Sequence, residues 1–324
     1  MTKEELRIVF LGTPDFAVAT LDALLSAGYN VVGVITAPDR KGGRGRKKVI
    51  ESQVKKYAQS KGLPILQPTN LKSPAFREEL SALNAELQVV VAFRMLPVVV
   101  WDMPPHGTYN LHGSLLPRYR GAAPINWAVM NGDQYTGVTT FKLKHEIDTG
   151  SIAFQERIPI HPNDYLDDVH DRMKEVGANL MLKTVEAIRL GTIELVEQDQ
   201  AGITKAPKIF HEDCKLDFTL DPKVVFDKVR GLSPFPGPWT YFGEQMVKVY
   251  RARYAHHQHK IETGQIFTNL RDFLLITCNG GFLFLDEIQF QGKKRMILKD
   301  VLNGYKSKES KPPYLRQIES PWLL

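Results

Sequence analysis

The sequence predicts an α/β fold: a doubly wound parallel sheet followed by a smaller C-terminal β-barrel. Three observations lead there. Up to Leu190, apolar runs of strand length alternate with helix-length segments, the rhythm of βαβ units. After Trp239 the strands become short and recur at near-regular intervals with turns between them, the pattern of a small barrel. Between the two patterns, residues 198–207 are polar and irregular and read as a linker. A chain of 324 residues is long for a single core, so the expected division is a domain at 1–197, the linker at 198–207 and a second domain at 208–324.

The elements follow in order. Residues 7–11 form a buried strand, ended by Gly12-Thr13-Pro14. Thr13 can cap, Pro14 suits the first helical position and Asp15 complements the dipole, so 16–27 is a helix stopped by Gly28. A strand over 31–36, a helix over 51–61 stopped by Gly62, a short strand over 63–67 and a helix over 75–83 come next. Residues 87–93 are continuously apolar, as in a strand covered on both faces, and 108–112 is the strand after it. Residues 138–143 and 151–158 read as a hairpin around Asp148, and 165–175 and 178–190 as two helices split near Gly177. Past the linker, 222–230 is a helix and 233–239 a proline-rich turn. The barrel strands are 246–252, 264–268, 273–278 and 281–289.

Charge separates the two parts. Up to residue 200 there are 23 Lys+Arg and 23 Asp+Glu. The remainder holds 42 − 23 = 19 basic and 36 − 23 = 13 acidic residues, so the whole net charge of +6 lies in the last third. A basic appendage on a neutral body suits a polyanionic partner. No apolar stretch approaches the roughly 18 residues of a membrane span, and no signal peptide is visible. Two cysteines, Cys214 and Cys278, have no metal-like or redox-like spacing, so a reduced, cytoplasmic protein is expected.

The chemistry concentrates near the middle. Ligands of doubly wound sheets sit beyond the carboxyl ends of strands, where His112 lies. Asn110 and His112 are two apart on a strand and share a face, so amide and imidazole can converge on one oxygen. Asp148 comes 148 − 112 = 36 residues later, enough chain to return and orient the ring. Together they can stabilise an oxyanion and move a proton without metal or covalent intermediate, which points to an acyl-type transferase. Gly12-Thr13-Pro14 lacks the glycines of a dinucleotide fingerprint, which argues against nicotinamide. Residues 38–48 hold six Lys/Arg and three Gly. They read as a basic arm, with Arg40, Arg44, Arg46, Lys47 and Lys48 able to meet a nucleic-acid groove or acceptor stem. The terminal Gly-Lys-Ser/Thr of a phosphate loop is absent there. Lys293, Lys294 and Arg295 form a basic turn on the barrel. His256, His257 and His259 have no carboxylate or cysteine at ligand spacing, so no metal is expected. His145 is expected to face solvent.

Phe10-Leu11-Gly12-Thr13-Pro14-Asp15-Phe16, Asn110-Leu111-His112-Gly113-Ser114-Leu115-Leu116-Pro117, the following Arg118-Tyr119-Arg120-Gly121-Ala122-Ala123-Pro124 and Asp148-Thr149-Gly150 resemble the methionyl-tRNA formyltransferase family. The resemblance covers nearly the whole chain. It includes Ala206-Pro207-Lys208-Ile209, Gly292-Lys293-Lys294-Arg295-Met296 and Leu302-Asn303-Gly304. It implies a formyltransferase-type Rossmann-like domain and an OB-like barrel. The implied reaction moves a formyl group from the co-substrate 10-formyltetrahydrofolate to the α-amine of methionine on initiator tRNA. Asn110 and His112 would stabilise the oxyanion and Asp148 would fix the ring. Whether His112 acts mainly as donor or as proton shuttle stays open. Ser114, Leu115, Leu116 and Pro117 match the family's folate-contacting turn, and the run 91–97, with Phe93, Met95 and Leu96, resembles another wall of that pocket. Arg44 matches a position that contacts the acceptor end, within a tRNA-binding set that adds Arg40, Arg46, Lys47, Lys48, Lys293, Lys294 and Arg295.

Two stretches depart from the family pattern. Arg94-Met95 replace a glycine and one further residue, and Leu143-Lys144-His145-Glu146-Ile147 lack the glycine usual before the aspartate. The Asn/His/Asp set is shared by formyltetrahydrofolate-using transferases generally. Two alternatives therefore stand: a formyltransferase acting on a small amine, such as a purine precursor or amino-sugar nucleotide, and a non-catalytic RNA-binding protein. The expected partners are initiator methionyl-tRNA and 10-formyltetrahydrofolate, with no membrane, and the chain is expected to be a monomer.

Overall fold

In the computed structural model, which describes residues 1–42, 48–306 and 312–323, the first strand β1 (Ile8–Gly12) is buried along its whole length. It ends at Gly12, where a Cβ would stand 2.7 Å from that of Ala17, so glycine lets α1 (Asp15–Ser26) pack close to the strand end. Pro14 rather than Thr13 is the N-cap of α1, without a side-chain cap, and Asp15 meets the dipole. β2 (Val31–Ile35) follows. The basic segment then forms a ribbon, β3 (Arg40–Gly42) antiparallel to β4 (Lys48–Ile50). Ser52 caps α2 (Gln53–Ser60) by accepting from Lys55 N–H at 2.9 Å. After β5 (Ile65–Leu66), Ser73 caps α3 (Pro74–Ala82) in the same way. β6 (Leu87–Val91), a short α4 (Val98–Trp101), β7 (Thr108–His112), β8 (Arg120–Gly121) and α5 (Pro124–Met130) lead to the hairpin of β9 (Tyr135–Lys142) and β10 (Ile152–Pro159).

The two helices expected around Gly177 are one, α6 (Leu166–Leu190). Gly177 does not break it. A Cβ there would lie 2.8 Å from Leu111 Cδ2, so the glycine serves close approach of the helix to the sheet. β11 (Lys205–Ala206) then pairs with β8 in parallel.

The main sheet runs β10-β9-β7-β6-β1-β2-β5. The strands from β7 to β5 are mutually parallel, whereas β9 pairs antiparallel with β7 and β10 antiparallel with β9. One face carries a core of Val9, Leu11, Ile35, Phe76, Leu80 and Val90. Met1–Pro124, Tyr135–Pro159 and His170–Ala206 make this first compact unit.

The second unit comprises Ile125–Gln134, Ile160–Val169 and Pro207–Leu324. The first inserted piece joins it because Asn126 Nδ2 donates to the Gly231 carbonyl (2.8 Å) and Gly231 leaves space for Met130. The second joins it through Tyr165, whose hydroxyl accepts from Ala252 N–H (3.0 Å). Asp221 caps α7 (Pro222–Leu232), followed by β12 (Trp239–Phe242), β13 (Gln245–His256), β14 (Ile266–Thr268), β15 (Leu274–Cys278), β16 (Gly281–Phe290), β17 (Met296–Ile297), α8 (Leu298–Lys306) and β18 (Leu315–Gln317). The sheet order is β12-β13-β16-β15-β14-β18, with β17 on β16. Among the described residues no pairing joins β12 to β18, so the sheet curls as a half-barrel. Period-2 alternation sends Ile266, Leu274, Ile276, Leu283 and Leu285 to a core shared with α7 and α8, and Phe267, Leu275, Phe282 and Phe284 to the opposite face. Among the described residues no helix is long and apolar enough to cross a membrane.

Candidate active site

Strand periodicity builds the centre of the site. Leu111 turns towards Gly177 of α6, which leaves Asn110 and His112 on the other face of β7, at its carboxyl end. His112 is 6% exposed, and its Nε2 donates to the Tyr119 carbonyl at 2.9 Å. A carbonyl only accepts, so Nε2 carries a proton and Nδ1 is the nitrogen free to exchange one. Nδ1 stands 3.8 Å from Asp148 Oδ2, an electrostatic pairing too long for a direct hydrogen bond. Asn110 is half-buried, and among the described residues no hydrogen bond engages its side-chain amide.

Asp148 owes its place to the turn between β9 and β10. Its φ of +55° lies in the left-handed region, which aspartate tolerates better than most residues. Gly121 N–H donates to its Oδ2 at 2.8 Å. Two residues on, a Cβ at Gly150 would fall 1.8 Å from the Lys142 carbonyl oxygen, so only glycine closes this turn. Lys144 and Ser151 both bond Glu197 Oε1 (2.6 and 2.9 Å), and the Lys144 ammonium foremost holds that carboxyl below its usual range. His145 is exposed and lies edge-on to Trp101 at 5.7 Å.

Sequence reasoning missed the residues that brace this set. The segment Tyr119-Arg120-Gly121 addresses both partners, with one carbonyl for His112 and one N–H for Asp148. It is anchored in turn by residues 198–207, the stretch expected to be the linker. Tyr119 N–H donates to Thr204 Oγ1 (2.8 Å), Arg120 N–H to the Thr204 carbonyl (2.9 Å), and a Cβ on Gly121 (φ +130°) would meet the Ala206 carbonyl oxygen at 2.5 Å. Gln198, also within residues 198–207, is 5% exposed and donates to the carbonyls of Asp148 and Gly150. The Arg120-Gly121 step within the quoted motif was the one available signal; nothing marked Gln198 or Thr204.

The two segments expected to hold folate follow adjacent strands, since β6 pairs with β7 with Val91 level with Leu111. After β6, Phe93 is half-buried, Met95 is 72% exposed and Leu96 turns inward. Arg94 lies over the Phe93 ring at 5.7 Å and donates to the carbonyls of Pro68 and Thr69. Partial burial, and next the charge of Arg40, hold its guanidinium below the ordinary value. After β7, Ser114 is fully buried, its hydroxyl donating to the Arg118 carbonyl (2.6 Å). Thr139 Oγ1 donates to the Ser114 carbonyl (2.6 Å) and accepts from Leu116 N–H (3.1 Å). Ser114 and the buried Leu116 therefore shape the turn from inside, while Leu115 and Pro117 are half-buried.

Arg40 and Lys48 are exposed on β3 and β4, whereas Arg44, Arg46 and Lys47 lie outside the described residues. In the second unit Lys293 and Lys294 are exposed in the turn before β17. Arg295 pairs with Glu287 at 2.5 Å and covers the Tyr250 ring at 4.2 Å. The barrel histidines have other work. His256 pairs with Asp221 (3.0 Å), His257 lies against Phe282 and Trp322, and His259 Nε2 donates to the Cys278 and Gly281 carbonyls while stacking on Phe282. Among the described residues no group of three or more His, Cys, Asp or Glu is placed to hold a metal ion.

An imidazole, carboxamide and carboxylate at the end of a doubly wound sheet suit acyl transfer, and comparison with known proteins narrows the class. Residues 6–185 match the formyl transferase family, and 208–306 match the formyl transferase C-terminal domain. The sequence is 51% identical to the methionyl-tRNA formyltransferase of Parabacteroides distasonis, with 94% of this chain and 98% of that one covered. It is 48% identical to the Bacteroides fragilis enzyme of the same name, with 94% and 97% covered. The chain belongs to the formyl transferase family and, within it, to the methionyl-tRNA formyltransferases. Among solved structures, an N-formyltransferase from Helicobacter canadensis in complex with folinic acid and dTDP-3-aminofucose superposes with a TM-score of 0.64 at 18% identity, covering 88% of this chain and 99% of that one. A variant of HypX from Aquifex aeolicus gives 0.66 at 17%, with 97% of this chain covering about half (51%) of that one. At such identities these two share the fold alone.

Proposed function

We propose that this chain transfers the formyl group of 10-formyltetrahydrofolate to the α-amino group of methionine esterified to initiator tRNA. The observation that carries the reaction is the His112 ring, tied at Nε2 to Tyr119, facing Asp148 with Nδ1 and standing beside the unengaged amide of Asn110. Attack of an amine on a formyl carbon places negative charge on the former carbonyl oxygen. Asn110 Nδ2 donates to that oxygen, and removing one such donor typically costs about 10²–10³ in rate. An α-amine, with a pKa of about 8, is partly deprotonated near neutrality and is then nucleophilic. His112 Nδ1 takes the proton released as the new C–N bond forms and hands one to the departing folate nitrogen. The Asp148 carboxylate stands opposite the charge this creates.

The segments that follow β6 and β7 would hold the flat heterocycle of the donor. After β6, Met95 is exposed and Phe93 half-buried; after β7, Leu115 and Pro117 are half-buried, while Leu96, Ser114 and Leu116 are buried within these segments. Solved relatives of this fold in complex with folinic acid and with tetrahydrofolic acid support the assignment. Arg40, Arg44, Arg46, Lys47 and Lys48 in the first unit, and Lys293, Lys294 and Arg295 in the second, meet tRNA phosphates. The chain works as a monomer in the cytoplasm.

The deciding experiment supplies labelled 10-formyltetrahydrofolate with either methionyl initiator tRNA or free amines, including an amino-sugar nucleotide. Label should appear on tRNA-bound methionine. Label on free amines alone would sink the tRNA assignment, and tRNA binding without transfer would leave an RNA-binding protein.

A further inference from the structure

Gln198 uses its whole hydrogen-bonding capacity at one place. Its Nε2 donates to the Asp148 carbonyl (2.8 Å) and the Gly150 carbonyl (2.9 Å). Its Oε1 accepts from Arg120 Nε (3.0 Å) and Nη2 (2.7 Å). The orientation of the amide is forced, because the carbonyls can only accept and the guanidinium can only donate. The side chain is 5% exposed, so water does not readily replace these bonds.

The bonds form a closed loop around the reacting groups. Arg120 sits between the carbonyl that holds His112 and the N–H that holds the Asp148 carboxylate. Through Gln198, the Arg120 side chain also grips the backbone of Asp148 itself. Asp148 is a non-glycine residue at positive φ in a turn that lacks a glycine before it, so its own backbone preference does not hold it there. Fixing both its carbonyl and its carboxylate to one three-residue segment sets the direction of the carboxylate relative to the imidazole.

We infer that Gln198, braced by Arg120, is a positioning residue that fixes the Asp148 backbone so that its carboxylate faces His112 Nδ1. This rests on Asn110, His112 and Asp148 being the catalytic set.

The test uses Gln198→Glu and Gln198→Met in the full-length protein, each alone and combined with Asp148→Asn. Glutamate keeps the acceptor for Arg120 but turns an oxygen towards two carbonyls; methionine keeps the length and loses every bond. Either change should lower kcat by about 10- to 100-fold, the scale expected when a catalytic group is misplaced by an ångström or less. KM for tRNA and for the formyl donor should stay within about threefold of wild type, since neither residue binds them. In the Asp148→Asn background neither change should lower kcat further, because groups acting through one another are not additive. Full kcat in both Gln198 variants alongside a crippled Asp148→Asn would overturn the positioning role and leave the catalytic set standing. Full kcat in Asp148→Asn would overturn both. Multiplicative effects in the double variants, or losses in both single variants matched by a loss of folded protein in thermal melts, would also overturn it.

Discussion

His112 shows how much one residue inherits from its neighbours. Its imidazole has two nitrogens, and the Tyr119 carbonyl claims one, so only the other is open to take up or give a proton. Asn110→Ala should reduce kcat in single-turnover formylation by about 10²–10³, the usual loss of an oxyanion donor. tRNA affinity, measured by filter binding, should be nearly unchanged. His112→Ala should show the same split between turnover and affinity. The placement of these two residues was legible in the sequence, because side chains two apart on a strand share a face. Gln198, Thr204 and Gly121 were not legible in the same way. Gln198 finds partners 48 to 78 residues away, and no local pattern encodes a contact of that kind.

At the level of elements, local preference and packing compete. Gly177 reads as a helix breaker, since glycine costs about 1 kcal/mol relative to alanine inside a helix. Packing reverses the meaning: α6 runs straight through and uses the missing side chain to reach Leu111. Gly177→Ala would gain that propensity but force a methyl to 2.8 Å from Leu111, and overpacking typically costs about 1–3 kcal/mol. The balance should be net destabilisation of roughly 1 kcal/mol in urea unfolding, with reduced turnover because Leu111 lies between Asn110 and His112. The two-residue strands β8 and β11 escaped sequence reading for a related reason, being too short to show a period.

The far end of α6 predicts a pH effect. Arg189 foremost, then the Tyr29 hydroxyl, hydrogen-bond Glu186 and lower its carboxyl from 4.5 to about 2. A depressed carboxylate contributes stability above the unfolded value, which is lost as pH falls through the folded one. The advantage of wild type over Glu186→Gln should therefore shrink as pH drops from 4.5 towards about 2. The group is partly exposed, so solvent screening keeps this advantage below about 1 kcal/mol.

Across the whole molecule, charge and compact unit do not share one boundary in sequence. The net charge of +6 sits after residue 200, and the unit containing that region also takes in Ile125–Gln134 and Ile160–Val169 from earlier in the chain. If the basic residues meet phosphate, log(kcat/KM) for methionyl-tRNA should fall steeply and linearly with log salt, while affinity for the formyl donor changes little. Arg44→Ala should weaken use of tRNA; unchanged kinetics would remove that residue from the account. The stretch joining the two patterns has a practical consequence for anyone dividing the gene. A fragment stopped at residue 197, where composition suggests a natural break, discards the Gln198 amide, the Thr204 hydroxyl and carbonyl and the Ala206 strand that brace Tyr119, Arg120 and Gly121. Restoring only the nine residues 198–206 returns those braces. Two fragments of nearly equal length should therefore differ sharply in how well ordered their His112 and Asp148 resonances are by NMR.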